Sequence, residues 1–205
     1  MSELFEADKA FVMEYAKWFI AESEKTLFAE KEYNIGAFYL EEEYIGILDS
    51  IVDEAILSAR FPAMTVPEII KKLLILPDED TEGLEKCSHW IKHFIESYNA
   101  DKQKMRFIFE ALTEISIDQV AEYVALLVSY TKDYSIFESI PLTPLSYSWS
   151  GSCVPMYSSW VEHLKKLLPL FAGFDYIEHK NRVKQMIEYY RKKIEEEEIS
   201  DILEG

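Results

Sequence analysis

Between residues 82 and 98, Glu85, His89, His93 and Glu96 recur at spacings of four, four and three, which sets them on one face of a helix. His-x₃-His is a zinc-binding spacing, because two imidazoles one turn apart can reach the same ion. Zinc would need a third or fourth ligand, from Cys87 if the start of the helix were distorted, or from another helix. The metalloprotease arrangement fails, since Trp90, Ile91 and Lys92 stand between the histidines and no Glu follows His89 to act as a base. The plainer reading pairs Glu85 with His89 and His93 with Glu96 on a surface, each pair contributing about a few tenths of a kcal/mol. His89, His93 and Glu96 are therefore weak metal candidates, and no bound metal or cofactor is expected.

Carboxylates cluster at Glu41, Glu42, Glu43, Asp49, Asp53 and Glu54. Asp49 and Asp53 lie one helical turn apart and could act as a pair. A di-iron site would require Glu-x-x-His sequences, and the chain has none. Glu41, Glu42 and Glu43 fall in the first turn of a helix, where they complement its dipole, so a solvated face is expected for the group. Trp149-Ser150-Gly151-Ser152 lacks the Gly-x-Ser-x-Gly spacing of a nucleophile elbow. These patterns assign no catalytic residue, and the chain reads as a non-enzyme.

The balance of 21 basic against 38 acidic residues, a net −17, repels nucleic-acid phosphate and anionic lipid. Direct nucleic-acid and membrane partners are thus not expected, whereas a basic protein surface would suit. The charge is uneven: residues 1–60 carry 14 acidic and 5 basic side chains, and residues 141–205 carry 10 and 8. Cys87 and Cys153 are the only cysteines, too few for a disulfide framework. The N-terminus lacks the order of a signal peptide, and no apolar run approaches the length of a membrane span. A cytoplasmic location with reduced thiols is expected.

Helices must position all these residues. Phe11, Tyr15, Trp18 and Phe19 give helical spacing to residues 8–31, and Asn34-Ile35-Gly36 ends that helix. Tyr44, Leu48, Ile51 and Ala55, flanked by Ile45, Val52, Ile56 and Ala59, predict a second long helix over 37–60. Phe61-Pro62 stops it. Thr65-Val66-Pro67-Glu68 has the form of a capping box opening a short, largely buried helix over 68–76. Further helices are predicted over 82–98, 102–115 and 117–133, a turn over 135–140, and helices from about Pro155 to Gly173 and over 175–198. With 6 glycines, 7 prolines and no strand candidate, the fold class is all-α: consecutive helical hairpins, as an α-solenoid fragment or an irregular bundle. The 205 residues fit one domain, with an acidic hairpin over 1–62 and a repeat-like part over 63–205 as sub-units.

The longest non-helical stretch is the 146–155 loop, with Tyr147, Trp149, Ser150, Gly151 and Ser152. Its residues suit a partner contact through hydroxyls and an amphipathic ring. Structurally, Trp149 would tuck between the flanking helices, and Gly151 would permit a turn closed to other residues. Around it stand a helical pair over 107–134, Ile140-Pro141-Leu142, Val154-Pro155, Leu167-Leu168-Pro169-Leu170 and Tyr176-Ile177-Glu178-His179-Lys180. This set resembles the C-terminal tail of large bacterial HEAT-repeat proteins, including the STAND-type ATPases of antiviral defence, over residues 107–194. The resemblance implies a docking or sensor surface. It implies no ATPase activity here, because the chain lacks a Gly-x-x-x-x-Gly-Lys-Ser/Thr loop. The expected function is a helical-repeat protein-interaction module, with the 146–155 loop contacting the partner. The alternative is an acidic mimic that binds a basic nucleic-acid-handling protein through Glu41, Glu42 and Glu43.

Overall fold

A computed structural model describes residues 13–18, 20–21, 45–74, 81–145 and 149–204; for 45, 81–86 and 202–204 only the backbone is described. Every regular element among the described residues is helical, so the fold is all-α. In chain order these are α1 (Ile45–Ser58), α2 (Pro62–Leu74), α3 (Thr81–Tyr98), α4 (Lys102–Ile115), α5 (Ile117–Tyr130), α6 (Tyr134–Ser139), α7 (Val154–Leu167) and α8 (Ile177–Glu204). Two 3₁₀ turns, Leu168–Phe171 and Phe174–Tyr176, link α7 to α8. The chain forms two compact units, Met1–Ser97 and Tyr98–Gly205. Residue 62 begins a helix, but it does not divide the packing, because α1 and α2 lie against each other within the first unit.

In that first unit, residues 13–18 are helical, with Ala16 and Ile20 buried but Trp18 about half exposed, so Trp18 is not the inward anchor its spacing suggests. Phe11, Phe19, Asn34-Ile35-Gly36 and Tyr44 lie outside the described residues. The α1 stripe Leu48, Ile51, Val52 and Ala55 is buried as its period requires. Helix α2 starts at Pro62, six residues before the expected 68. Proline in the first turn forfeits no bond there, and the Phe61 carbonyl accepts from the amides of Met64 (2.9 Å) and Thr65 (3.0 Å). Thr65 is thus buried inside the helix and is not its cap. Pro67 also lies inside, where the lost hydrogen bond to the preceding turn costs about 3 kcal/mol. Complete burial of Val66, Ile69, Ile70 and Leu73, at about 1.5–3 kcal/mol per large apolar side chain, outweighs it.

In the second unit α4 packs on α5 and α6, α5 on α7, and α8 on α6 and, most extensively, α7. Helix α4 begins where expected because the Asp101 carboxylate accepts from the amides of Gln103 and Lys104, both at 3.0 Å. Its inward residues Met105, Ile108, Phe109 and Leu112 meet an α5 face of Val120, Tyr123, Val124 and Leu127. Tyr130, predicted to share that face, is 45% exposed in the last turn of α5. The expected turn over 135–140 is a short helix, α6, because Asp133 caps it (Ser135 amide to Asp133 Oδ1, 2.8 Å) and buried Ile136 and Phe137 hold it to its neighbours. Helix α7 carries Pro155 in its first turn and buries Trp160, Leu164 and Leu167. Gly173, at φ 119°, breaks the chain in a conformation that other residues rarely adopt. Helix α8 runs to Glu204, six residues past the expected 198; Val183 and Ile187 anchor its first half against α7.

Candidate functional site

Three elements of the second unit frame a cleft of about 290 Å³. One wall is the 141–145 segment, Pro141-Leu142-Thr143-Pro144-Leu145, which follows α6. Tyr157 and Trp160 of α7 form the floor, and Arg182, Met186, Tyr189 and Tyr190 of α8 the opposite wall. The volume sits at the lower end of ligand-binding cavities. Prolines keep 141–145 from continuing α6 as a helix, and α8 places Arg182, Met186, Tyr189 and Tyr190 along one side by its period.

The walls are fixed by specific bonds. Thr143 Oγ1 and Tyr190 Oη are 2.8 Å apart, tying segment to helix. Tyr190 stacks on Tyr157 (centroids 5.8 Å apart, 24°) and meets Trp160 edge-on (5.1 Å, 71°). Arg182 donates from Nη1 to the Phe137 carbonyl and from Nη2 to the Ile140 carbonyl (2.8 Å), so a charged fork closes the C-terminal end of α6. Tyr189 is left 57% exposed at the rim.

The loop singled out by sequence adjoins this region. Trp149 is 50% exposed, so it does not tuck between helices. Its indole N–H instead donates to the Ser152 carbonyl (2.7 Å), folding the loop on itself. Gly151 takes φ 85°, in open space, so its backbone angle, not crowding, calls for glycine. Ser150 is exposed, and Ser152 Oγ accepts from the Val154 amide at 3.4 Å. The Cys153 amide donates to Glu197 Oε1 of α8 (3.0 Å), placing a carboxylate at the start of α7 where the helix dipole favours it. Burial, then Glu197 and Asp201, push the Cys153 thiol up, so it stays protonated and a poor nucleophile. Tyr147, Glu41, Glu42 and Glu43 lie outside the described residues.

The histidine stripe has a different geometry from a metal site. His89 and Glu96 are exposed on α3, and His93 faces Asp49 of α1, Nε2 to Oδ2 at 3.6 Å. Asp49 is 7% exposed, not part of a solvated face, because the Trp90 indole N–H donates to its Oδ1 at 2.9 Å. Asp53 is half-buried. Ser97 Oγ also approaches His93 Nε2, at 3.4 Å. An Asp–His–Ser relay needs the carboxylate on one ring nitrogen and the hydroxyl on the other. Here both approach Nε2, so the cluster pins α1 to α3 and has no relay geometry. Among the described residues no group of three His, Cys, Asp or Glu side chains could hold a metal ion.

A second feature escaped the sequence reading. His179 of α8 is 1% exposed inside a box of Tyr134, Phe137, Phe171 and Tyr176, with ring centroids 4.7–5.5 Å away, and neither ring nitrogen has a hydrogen-bond partner. Burial lowers its pKa and Arg182 adds to this; Glu178 and Asp133 oppose. His163 of α7, 2% exposed, is also without a hydrogen bond of sound geometry. Its pKa is lowered by burial and then by Lys166, against the Leu142 backbone and Asp118. The sequence signal was the Tyr176-Ile177-Glu178-His179 run, where a histidine three residues after a tyrosine shares its side of the chain.

Among the described residues no helix is long and apolar enough to cross a membrane. No family model, no curated protein and no solved structure matches this chain.

Proposed function

We propose that the chain is a non-catalytic, solenoid-like helical-repeat module that docks a protein partner over the 141–145 cleft and the adjoining 149–153 loop. The observation that carries this reading is the composition of the cleft: Tyr157, Trp160, Met186, Tyr189 and Arg182, with Leu145 exposed in its lining and Trp149 exposed in the loop that follows. Tyr, Trp, Met and Arg are enriched in the cores of protein interfaces, and rigid aromatic anchors there supply most of the binding energy. The contact order of the second unit supports the repeat aspect, since its helices pack mainly on neighbours one or two elements away. A link to a nucleotide hydrolase of bacterial defence rests on the resemblance of residues 107–194 alone.

Affinity capture from source cells with wild-type, Trp149→Ala and Tyr189→Ala chains tests the reading. Each substitution is expected to weaken capture of one specific protein at least tenfold while circular dichroism leaves helix content unchanged. Capture unaffected by both sinks the docking surface. The acidic-mimic alternative predicts instead a partner released by salt and by joint neutralisation of Glu41, Glu42 and Glu43.

A further inference from the structure

We propose that His179 and Arg182 form an acid-sensitive latch that holds the 141–145 wall of the cleft closed. The two side chains stand one helical turn apart on α8 and share one ring: His179 lies 4.7 Å from the Phe137 centroid, and the Arg182 guanidinium carbon 5.1 Å from it. Arg182 is the hand of the latch. Its two nitrogens grip the carbonyls of Phe137, inside α6, and Ile140, the residue before Pro141, so losing that grip loosens the wall at its root while Thr143 still ties its middle to Tyr190.

His179 is the trigger. A neutral ring fits an aromatic box, but both its nitrogens are unbonded, so the closed form offers a proton no acceptor-lined site. The groups around it do not supply one. From α6 come Tyr134 and, at its cap, Asp133, whose carboxylate is engaged by Ser135. The Leu168–Phe171 turn contributes only Phe171. The Phe174–Tyr176 turn contributes Tyr176, and its Asp175 is paired with Lys132 at 2.6 Å. On α8 itself Glu178 is exposed, and Arg182 is a like charge. On α7, packed on the same helix, His163 is buried as well, and its own ring is set against the Leu142 backbone.

The sign follows from these pKa directions. Above about pH 6.5 the imidazole is neutral in closed and open forms alike, and pH has no effect. Below it, the open form takes the proton and the closed form resists until its lowered pKa is reached. The open-to-closed ratio therefore rises by up to about tenfold per pH unit in that window. A proton that does enter the box places a second cation beside Arg182 and loosens its hold on the two carbonyls.

The test is an NMR titration of the full chain from pH 7.5 to 5. It follows the His179 and His163 ring resonances and the amides of residues 138–145, and needs no docking partner. The expected result is that the 138–145 amides move on the same curve as His179, with a midpoint below 6.5, while amides of α4 and α5 stay in place. In His179→Phe, which refills the box with a ring that cannot titrate, the 138–145 response should vanish and His163 should titrate as before. If His179→Phe does not fold, coincidence of the wild-type curves decides. A 138–145 response that survives His179→Phe, or that follows His163 and not His179, overturns the latch. So does His179 titrating with no movement of the segment.

Discussion

The two units bury ionisable side chains in opposite ways. In the first, Asp49 is enclosed with a partner for its carboxylate, the Trp90 indole N–H at 2.9 Å and His93 nearby. In the second, His179 is enclosed by four aromatic rings and bonds to none of them. A buried polar group that is hydrogen-bonded contributes modestly to stability and fixes register, here that of α1 on α3. One left unbonded costs stability, persists because its surroundings pack well, and ties that packing to pH. The first arrangement is a structural pin, the second a point of conditional weakness next to the candidate docking cleft.

The largest test of the contrast is Phe171→Ala, which removes one side of the histidine box. A fully buried Phe costs about 3–5 kcal/mol on truncation, and Phe171 is 0% exposed. Urea unfolding followed by near-ultraviolet circular dichroism should show a loss of that size; a loss near zero would mean that the box is not the core of its unit. Next in size, Asp49→Ala strands the Trp90 N–H and should cost about 1–3 kcal/mol, whereas Asp49→Asn retains an acceptor and should cost clearly less. Equal losses in the two variants, read from urea midpoints, would show that the Trp90 bond is not what the site provides. The smallest effect is expected outside both clusters: Asp101→Ala removes the α4 cap and should cost about 1 kcal/mol. That value, from the same denaturation series, sets the scale for a solvent-facing hydrogen bond against the two buried arrangements.

Much of the fold was legible in the chain, for local reasons. Apolar residues at helical period placed α4 over 102–115, where the Asp101 carboxylate caps it, and Gly173, at φ 119°, sits at a break between helices as its backbone conformation requires. The misjudged stretches are those where a local signal competed with another. Thr65-Val66-Pro67-Glu68 matches a capping box, but Pro62 offered an earlier start and buried apolar neighbours offset an internal Pro67. Trp149 carries the residue type of a core anchor, but a hydrogen bond to Ser152 holds it in its own loop.

By itself the sequence determined the helical class, the net acidic charge and most helix boundaries, because periodicity, capping and charge are properties of residues close together in the chain. Only the tertiary structure decided which polar residues meet. Asp49 and Trp90 are 41 residues apart in the chain, and Thr143 and Tyr190 are 47 apart. Arg182 reaches back 42 residues to the Ile140 carbonyl. Those pairings depend on how helices stack, which residue period does not encode, and they separate a pinned aspartate from a stranded histidine.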